Sequence, residues 1–310
     1  MNEDVTVLIP TLDEAATIGD VVSGFVDRGY EHVLVIDGGS DDGTPELAEE
    51  AGARVIEQTG SGKGHAMMQG FNEVETEYLL VLDGDGTYLP EDAEKLLEPL
   101  RSGEADHVVG NRFADIRSGA MPRLNRVGNR IINWAYRTIH RRDHHDILSG
   151  YRAMTMDSLD RMNLSAEGFG IETEMCVECV RHGIDSMEVP ITYETRPAGS
   201  ETNLHPIKDG GTIVVTLYRL AKTNNPLFYF GSLGALSLLT GLLIAAYVGY
   251  EWFVQGIPHE VLAIVAAAGI LVGVQLFMIG FLSDMIVALH RDQRRRIERL
   301  ERKIETSDED

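Results

Sequence analysis

Lysine is scarce in this chain. Only five of its 27 basic residues are lysine, set against 49 Asp and Glu, and the formal net charge is −22. A surface so short of cations lacks the basic footprint that a phosphate backbone requires, which argues against nucleic acid as a partner. The same imbalance reads as adaptation to high salt. Dense carboxylates repel one another at low ionic strength, and the repulsion is relieved when the Debye length falls to about 3 Å near 1 M salt. Cysteine is nearly absent too. Cys176 and Cys179 form one Cys-x-x-Cys pair in a segment that reads as helix. A single pair lacks the ligand set of a structural zinc site, so both are expected as reduced thiols on a helix face. The residues from Met1 to Val5 hold neither a basic n-region nor a long apolar run. No secretory signal is therefore expected, and the N-terminal domain is expected in the cytoplasm. A P-loop is missing as well: no glycine stands at position 57, and glycine rather than Ser or Thr follows Lys63.

What is present is an alternation of short apolar runs with helical patterns over the first hundred residues, the signature of a parallel sheet with crossover helices. Val5 to Ile9, His32 to Ile36, Arg54 to Glu57, Tyr78 to Leu82 and His107 to Val109 read as strands. Ile18, Val21, Val22, Phe25 and Val26 recur at helical spacing behind Thr17, a candidate N-cap. Thr44-Pro45 opens the next helix with proline at its first position. From about Ala114 to Pro226 the pattern is less regular and richer in arginine, with helices expected near Arg126 to Ile139 and Ile171 to His182. His140, His144 and His145, beside Arg141 and Arg142, read as a polar loop.

Two long apolar runs close the chain. Leu227 to Tyr250 is 24 residues without a charge and Val261 to Ser283 is 23, each sufficient to cross a hydrocarbon core of about 30 Å. The loop between them, Glu251 to Glu260, carries two glutamates and no Lys or Arg, whereas the tail holds Arg291, Arg294, Arg295, Arg296, Arg299, Arg302 and Lys303. The positive-inside rule puts that tail, and with it the N-terminal domain, on the cytoplasmic face of the cell membrane. Ile213, Val214, Leu217, Leu220 and Ala221 fall on one helical face just before the first run, as in a helix lying in the membrane interface or a plain core helix. The expected organisation is a cytoplasmic catalytic domain over 1–203, an interface helix over 204–226, transmembrane helices at 227–250 and 261–283 within 227–289, and a basic then acidic tail over 290–310.

The chemistry concentrates at strand ends. Asp83 and Asp85 directly follow the run Tyr78 to Leu82, which puts them at the carboxyl edge of the sheet, where ligands of such folds bind. Two carboxylates separated by one glycine can face a divalent ion that also takes diphosphate oxygens, in the octahedral manner of Mg²⁺ or Mn²⁺. Three further strand ends carry polar or glycine-rich loops: Pro10 to Glu14, Asp37 to Thr44, and Gly62-Lys63-Gly64. A nucleotide needs such loops, because backbone must approach base and ribose closely and carboxylates must receive their N–H and O–H groups.

This set of motifs resembles a family 2 glycosyltransferase of the dolichyl-phosphate mannose synthase type, from about Val5 through both apolar runs. The resemblance implies a GT-A-type α/β fold: a parallel-rich sheet with helices on both faces, followed by a two-helix transmembrane hairpin. It implies that Pro10, Glu14, Asp37, Lys63 and Asp83 hold the nucleotide sugar and that Asp83 and Asp85 bind metal. The family's third ligand, often Gln, would fall on Thr87, so either Thr87 or water completes the shell. Gly110-Asn111-Arg112-Phe113 is similar to the family's Gly-Ser-Arg-Tyr segment, and Asp146 to Arg152 to its Asp-x-x-Ser-Gly-Phe-Arg segment. Arg112, Arg126, Ser149 and Arg196 are then expected around the donor diphosphate and the acceptor phosphate, with Asp85 and the three arginines catalytic. Relatives usually carry lysine after the serine of Arg196 to Ser200, where this chain has Glu201, so Lys208 or another arginine is expected to supply that charge.

The continuation Thr202 to Pro206 and the two-span tail look most like archaeal dolichyl-phosphate hexosyltransferases that start N-glycan assembly. The implied reaction is inverting transfer of a hexose, with UDP-glucose favoured as donor, to dolichyl phosphate. GDP-mannose as donor, or a hydroxyl acceptor with Glu172 or Glu174 as base, are the alternatives. The bland role for those two glutamates is an acidic cluster at a helix N-terminus. Gln293 to Arg296 only superficially matches the Gln-x-x-Arg-Trp motif of processive synthases, since Ile297 replaces Trp. A nucleotidyltransferase would open with a glycine-rich, Arg-containing loop that residues 8 to 16 lack. A non-catalytic membrane binding module is the remaining class.

Overall fold

The β-branched runs form strands as expected. β1 (Val5–Thr11), β2 (His32–Asp37), β3 (Arg54–Glu57) and β4 (Tyr78–Val81) alternate with helices α1 (Ile18–Val26), α2 (Thr44–Glu50) and α3 (Lys63–Phe71). A short 3₁₀ turn, Pro90–Asp92, leads into α4 (Ala93–Arg101) and β5 (His107–Ile116). The second half adds α5 (Arg123–His140), β6 (Arg152–Thr155), α6 (Met156–Asp160), α7 (Ile171–His182) and β7 (Ser186–Tyr193). The computed structural model describes residues 2–140, 142–165, 170–197, 211, 213–215, 217, 218, 221, 222 and 225–308.

The seven strands make one sheet in the order β3-β2-β1-β4-β6-β5-β7. Pairing is parallel throughout except at β6, which runs antiparallel to both β4 and β5. Strands β6 and β7 lie where the sequence showed no regular pattern. β6 has only four residues and opens on an arginine, so it shows no readable apolar alternation. Successive β1 side chains divide between two cores. Val5, Val7 and Ile9 pack with Val22 and Phe25 of α1 and Leu96 and Leu97 of α4, whereas Leu8 packs with Met67 of α3 and Met175 of α7. Helices therefore cover both faces, and strand period two explains the division.

Two local expectations need correction. Thr17 stands at the N-cap of α1 without making a side-chain cap bond; its Oγ1 donates instead to the Gly84 carbonyl at 2.7 Å. His140 and His144 are buried rather than part of a solvated loop. Their rings lie 5.2 and 6.1 Å from that of Tyr136, which supplies the apolar surface. Burial, followed by the charges of Arg152 and Arg142, drives the His144 pKa down to about 4. The two cysteines are free, as expected, and both are buried.

The chain divides into two compact units, Met1–Leu217 and Tyr218–Asp310. Of the proposed interface helix, Ile213, Leu217 and Ala221 are buried and Val214 is exposed. Leu220, most of 204–212, Ser200 and Glu201 lie outside the described residues. In the second unit α8 (Pro226–Tyr250) continues as a π-helical turn, Glu251–Gln255, before α9 (Glu260–Asp308). α9 carries the expected tail on as helix. α8 and α9 run antiparallel and touch through small residues. A Cβ on Gly241 would stand 2.8 Å from Ile270 N, one on Gly273 2.8 Å from Gly234 O, and Ser237 Oγ donates to Gly269 O at 2.8 Å. Only 17% and 11% of the most apolar windows are buried. Leu236, Leu243, Ile264 and Phe281 face outward. Close glycine contacts inside and apolar side chains outside suit a hairpin able to cross a membrane.

Candidate active site

The loops after β1, β2 and β4 meet at the carboxyl edge of the sheet, and backbone donors join the first two. Asp13 N donates to Ser40 Oγ at 2.8 Å, Glu14 N to Thr44 Oγ1 at 2.9 Å, Ala15 N to Asp42 Oδ2 at 3.0 Å, and Gly38 N to Thr11 O at 2.8 Å. Asp13 holds φ at 57°, the one non-glycine residue in the left-handed region among those described. Aspartate is among the few side chains that tolerate this conformation. Asp37 is buried and organises its own turn: Oδ2 accepts from Gly39 N and Ser40 N, both at 2.9 Å, and Oδ1 from Ser40 Oγ at 2.6 Å.

Asp83 and Asp85 stand one residue apart on the loop after β4, and each carboxylate meets an internal cation. Lys63 Nζ, from the first turn of α3, contacts Asp83 Oδ1 and also Glu172 Oε1, the latter at 2.6 Å. Arg196 Nη2 contacts Asp85 Oδ2, while its Nη1 lies 3.5 Å from Glu14 Oε1. Burial alone would lower the Lys63 pKa, but the charges of Asp83 and Glu172 outweigh it and the ammonium is held. Burial likewise works against Arg196, and Asp85 and Glu14 overcome it. The group comprises four carboxylates against two cations, a formal excess of two negative charges. A divalent cation would neutralise that excess, and the donors are hard oxygens of the kind Mg²⁺ and Mn²⁺ take.

Thr87 is buried behind Asp85. Its N–H donates to Asp85 Oδ1 at 3.0 Å and its Oγ1 to the same oxygen at 2.5 Å, so its hydroxyl orients the carboxylate. Behind Asp83 lies the turn preceding β6. The Cβ that Gly150 lacks would stand 2.6 Å from Asp83 Oδ2. Gly150 N donates to Tyr88 OH at 2.9 Å, and the Tyr88 ring packs against those of Tyr151 and Tyr193 at 5.3 and 5.5 Å.

Arg112 has a different surrounding from the one expected. Its Nε and Nη2 grip Asp146 at 2.8 and 2.7 Å, its backbone N–H adds 2.9 Å to the same carboxylate, and its guanidinium lies 5.4 Å over the Tyr193 ring. Asp146 is fully buried. A bidentate pair of this kind spends the geometry that phosphate recognition would use; it joins β5 to the turn before β6. Among the described contacts, none links Arg112 or Arg126 to Arg196 or the Asp83-Asp85 pair. Arg126, on α5, keeps its Nε buried without a hydrogen-bond partner among the described residues, as does the Ser149 hydroxyl. Pro10, next to last in β1, stands in register with Ile36.

Sequence reasoning weighed Glu172 only as a base or as an acidic helix start. The structure shows both its place in the first turn of α7 and its ion pair with Lys63. Thr17 carried only the signal of a helix cap, and Tyr88 none. Gly150 was within a recognised segment, but its closeness to Asp83 is a three-dimensional fact.

The model of glycosyl transferase family 2 matches residues 6–161, which include both aspartates and the three loops. This chain belongs to that family. The glycosyltransferase AglJ of Haloferax volcanii is 60% identical to it over 298 residues, covering 96% of this chain and 98% of that one. A dolichyl-phosphate hexose transferase of the same organism is 35% identical over 216 residues, covering 68% of this chain and 91% of its own. Glucosyl-3-phosphoglycerate synthase of Mycobacterium tuberculosis, solved with Mn²⁺, UDP and glucosyl-3-phosphoglycerate, gives a TM-score of 0.58 at 22% identity and covers 72% of this chain and 80% of that one. That likeness is one of fold, and this glycosyltransferase has the GT-A-type architecture that its motifs imply, with two added apolar helices.

Proposed function

We propose that this glycosyltransferase transfers a hexose, with UDP-glucose as the favoured donor, to dolichyl phosphate, with inversion at the anomeric carbon. The observation that carries the reading is the Asp83-Asp85 pair at the strand edge, each carboxylate held by an internal cation, in a chain that also bears two apolar helices long enough to cross a membrane. The dolichyl-phosphate hexose transferase among its relatives supports the acceptor class.

A divalent metal bound by Asp83 and Asp85 would stabilise the charge that develops on the departing diphosphate. Among the described residues no group of three His, Cys, Asp or Glu is arranged for a metal, so a metal held by Asp83 and Asp85 would take diphosphate oxygens and water as its other ligands. Thr87 keeps Asp85 oriented. Glu14 and Asp37 lie on the joined loops that receive the nucleotide, with Pro10 next to last in β1, and Lys63 ties the Asp83 side of the site to α7. A phosphate monoester has its second pKa at about 6 and is mostly ionised at neutral pH, so the acceptor oxygen needs no strong base. The problem is to bring anion to anion. Arg196, partly exposed beside Asp85, and Arg126, whose Nε has no hydrogen-bond partner among the described residues, supply guanidinium groups for phosphate oxygens, and the Ser149 hydroxyl, likewise without a partner among the described residues, supplies a further donor. Arg112 acts on this reading through the turn that presents Ser149 and Gly150. The catalytic unit and the tail are cytoplasmic.

Labelled UDP-glucose, UDP-GlcNAc and GDP-mannose, each incubated with dolichyl phosphate and Mg²⁺ at high salt and then extracted into solvent, test the reading. Label is expected in the lipid phase from UDP-glucose; label from GDP-mannose alone would make the chain a mannose transferase, and none from any donor would overturn the proposal.

A further inference from the structure

The proposed reaction makes no use of the chain beyond the second apolar run. α9 has 49 residues, and its apolar stretch of 31 ends at His290, leaving 18 that run on as helix to Asp308. At 1.5 Å per residue that extension is about 27 Å long. α8 does not accompany it, because α9 passes the first residue of α8 near Gly280, where an added Cβ would stand 3.5 Å from Pro226 O. A helix of this length gains little from propensity and is held mainly by packing of an apolar face.

The extension carries the pattern of such a face. Ile297, Leu300 and Ile304 are the only large apolar residues between 291 and 308, and they recur at three and four residues. In a heptad written abcdefg they take positions a, d and a. β-branched isoleucine at a with leucine at d favours two strands in a parallel coiled coil. The flanking charges fit a second copy of the same chain. Arg296 and Lys303 fall at g, and Glu301 and Asp308 fall at the e positions five residues further on. In a parallel pair, g of one helix faces e of the following heptad on the other, so Arg296 would meet Glu301 and Lys303 would meet Asp308, each twice by symmetry. Anionic lipid suits the segment less well, because Glu298, Glu301 and Glu305 stand among its arginines.

We infer that residues 291–308 pair with the same segment of a second copy of this chain as a parallel two-stranded coiled coil. About two heptads are fewer than the three or more usual for a coiled coil, and the apolar helices supply what the short seam lacks. Two copies that cross one membrane in the same sense bring these extensions out on the same face, parallel and at the same height. Such confinement raises the effective concentration and removes orientational cost before any contact forms. The inference adds an interaction surface to the proposed reaction. It rests on α8 and α9 spanning a membrane and is independent of donor and acceptor.

Oxidative cross-linking of the full chain tests it, in vesicles dilute enough in protein for chance encounters to be rare. Cys176 and Cys179 are buried, so a cysteine placed in the extension reports alone. Ser307→Cys, at d, should form a disulfide-linked dimer several-fold faster than Arg302→Cys, at f on the outer side. Adding Leu300→Asp to Ser307→Cys should remove that advantage. Charge exchange then identifies the partner. At moderate salt, Ser307→Cys copies carrying Arg296→Glu with Lys303→Glu should cross-link to themselves about tenfold less, as should copies carrying Glu301→Lys with Asp308→Lys. The two charge variants, differently tagged and mixed before reconstitution, should recover dimer between unlike copies. Equal rates at positions 302 and 307, a dimer indifferent to Leu300→Asp, or no preference between the charge variants would overturn the inference. An extension that cross-links at neither position would lie apart, on lipid or on its own catalytic unit, and would overturn it equally. Since the readout is proximity and not turnover, its failure is distinct from failure of the proposed reaction.

Discussion

Gly150 and Asp83 stand so close that a single added carbon would collide: the Cβ position on Gly150 is 2.6 Å from Asp83 Oδ2. The turn before β6 thus forms the wall against which one of the two candidate metal carboxylates rests. Because Gly150 N also donates to Tyr88 OH, the wall cannot retreat without breaking a buried hydrogen bond.

Gly150→Ala should therefore act on the site first. Displacing the Asp83 carboxylate is expected to raise the Mg²⁺ or Mn²⁺ concentration for half-maximal transfer by at least about tenfold, and overpacking should cost about 1–3 kcal/mol of stability. Metal titration of activity and thermal denaturation of the same preparation check both. Unchanged metal dependence would remove Asp83 from the metal site.

Lys63 and Glu172 form a buried pair whose members should be unequal alone and compatible together. Lys63→Met leaves the Glu172 carboxylate without its ammonium, at an expected cost of about 3 kcal/mol, whereas Lys63→Met with Glu172→Leu should recover much of the loss. Denaturant unfolding of the three variants closes the cycle. Recovery of stability without recovery of transfer is the expected combination, since the double variant still lacks the cation beside Asp83.

Thr87 and Asp85 distinguish orienting from ligating. Asp85→Ala should abolish transfer. Thr87→Val, which removes only the hydroxyl bonded to Asp85 Oδ1, should weaken Mn²⁺ binding about 10–100-fold and leave residual turnover at saturating metal. Mn²⁺ binding followed by electron paramagnetic resonance, with nucleotide present, reads this directly. A Thr87→Val protein as inactive as Asp85→Ala at every metal concentration would make Thr87 a ligand.

His144 should leave a signature in the pH dependence of stability. Its folded pKa of about 4, set first by burial and then by Arg152, Arg142 and His145, lies below the ordinary histidine value of about 6.5, so folding favours the neutral ring. The contribution is complete above about pH 6.5 and is lost as pH falls through 4, on the order of 3 kcal/mol in total. His107, also lowered by burial and then by Arg152, has the same sign, while Glu188, raised by burial, has the opposite one. Denaturation midpoints between pH 7 and 4 should fall less steeply for His144→Gln than for the parent chain.

The parts of the fold that were legible are those whose signal is local. Five strands, the helices beginning at Ile18 and Thr44 and two long apolar runs follow from period and length, because strand alternation and helical spacing are properties of neighbouring residues. β6 escaped notice because it is short, is paired on both sides and opens on Arg152, a fully buried arginine. Arg152 donates to the carbonyls of Ser149 and Ile147 and to Cys176 Sγ at 3.2 Å. No sequence pattern announces a cation satisfied by carbonyls contributed by a turn.

The candidate site divides in the same manner. By itself the sequence determined that Asp83 and Asp85 follow a strand, that three further loops join them at one sheet edge, and that two helices long and apolar enough to cross a membrane come after. Motif and hydrophobic run are contiguous in the chain. Only the tertiary structure decided what each charge does. Lys63 faces Asp83 and Glu172, Arg196 faces Asp85 and Glu14, and Arg112 is committed to Asp146 across 34 positions. An ion pair depends on which atoms come within about 4 Å in a medium of low dielectric constant. For residues separated by a helix or a strand crossing, that distance is set by packing.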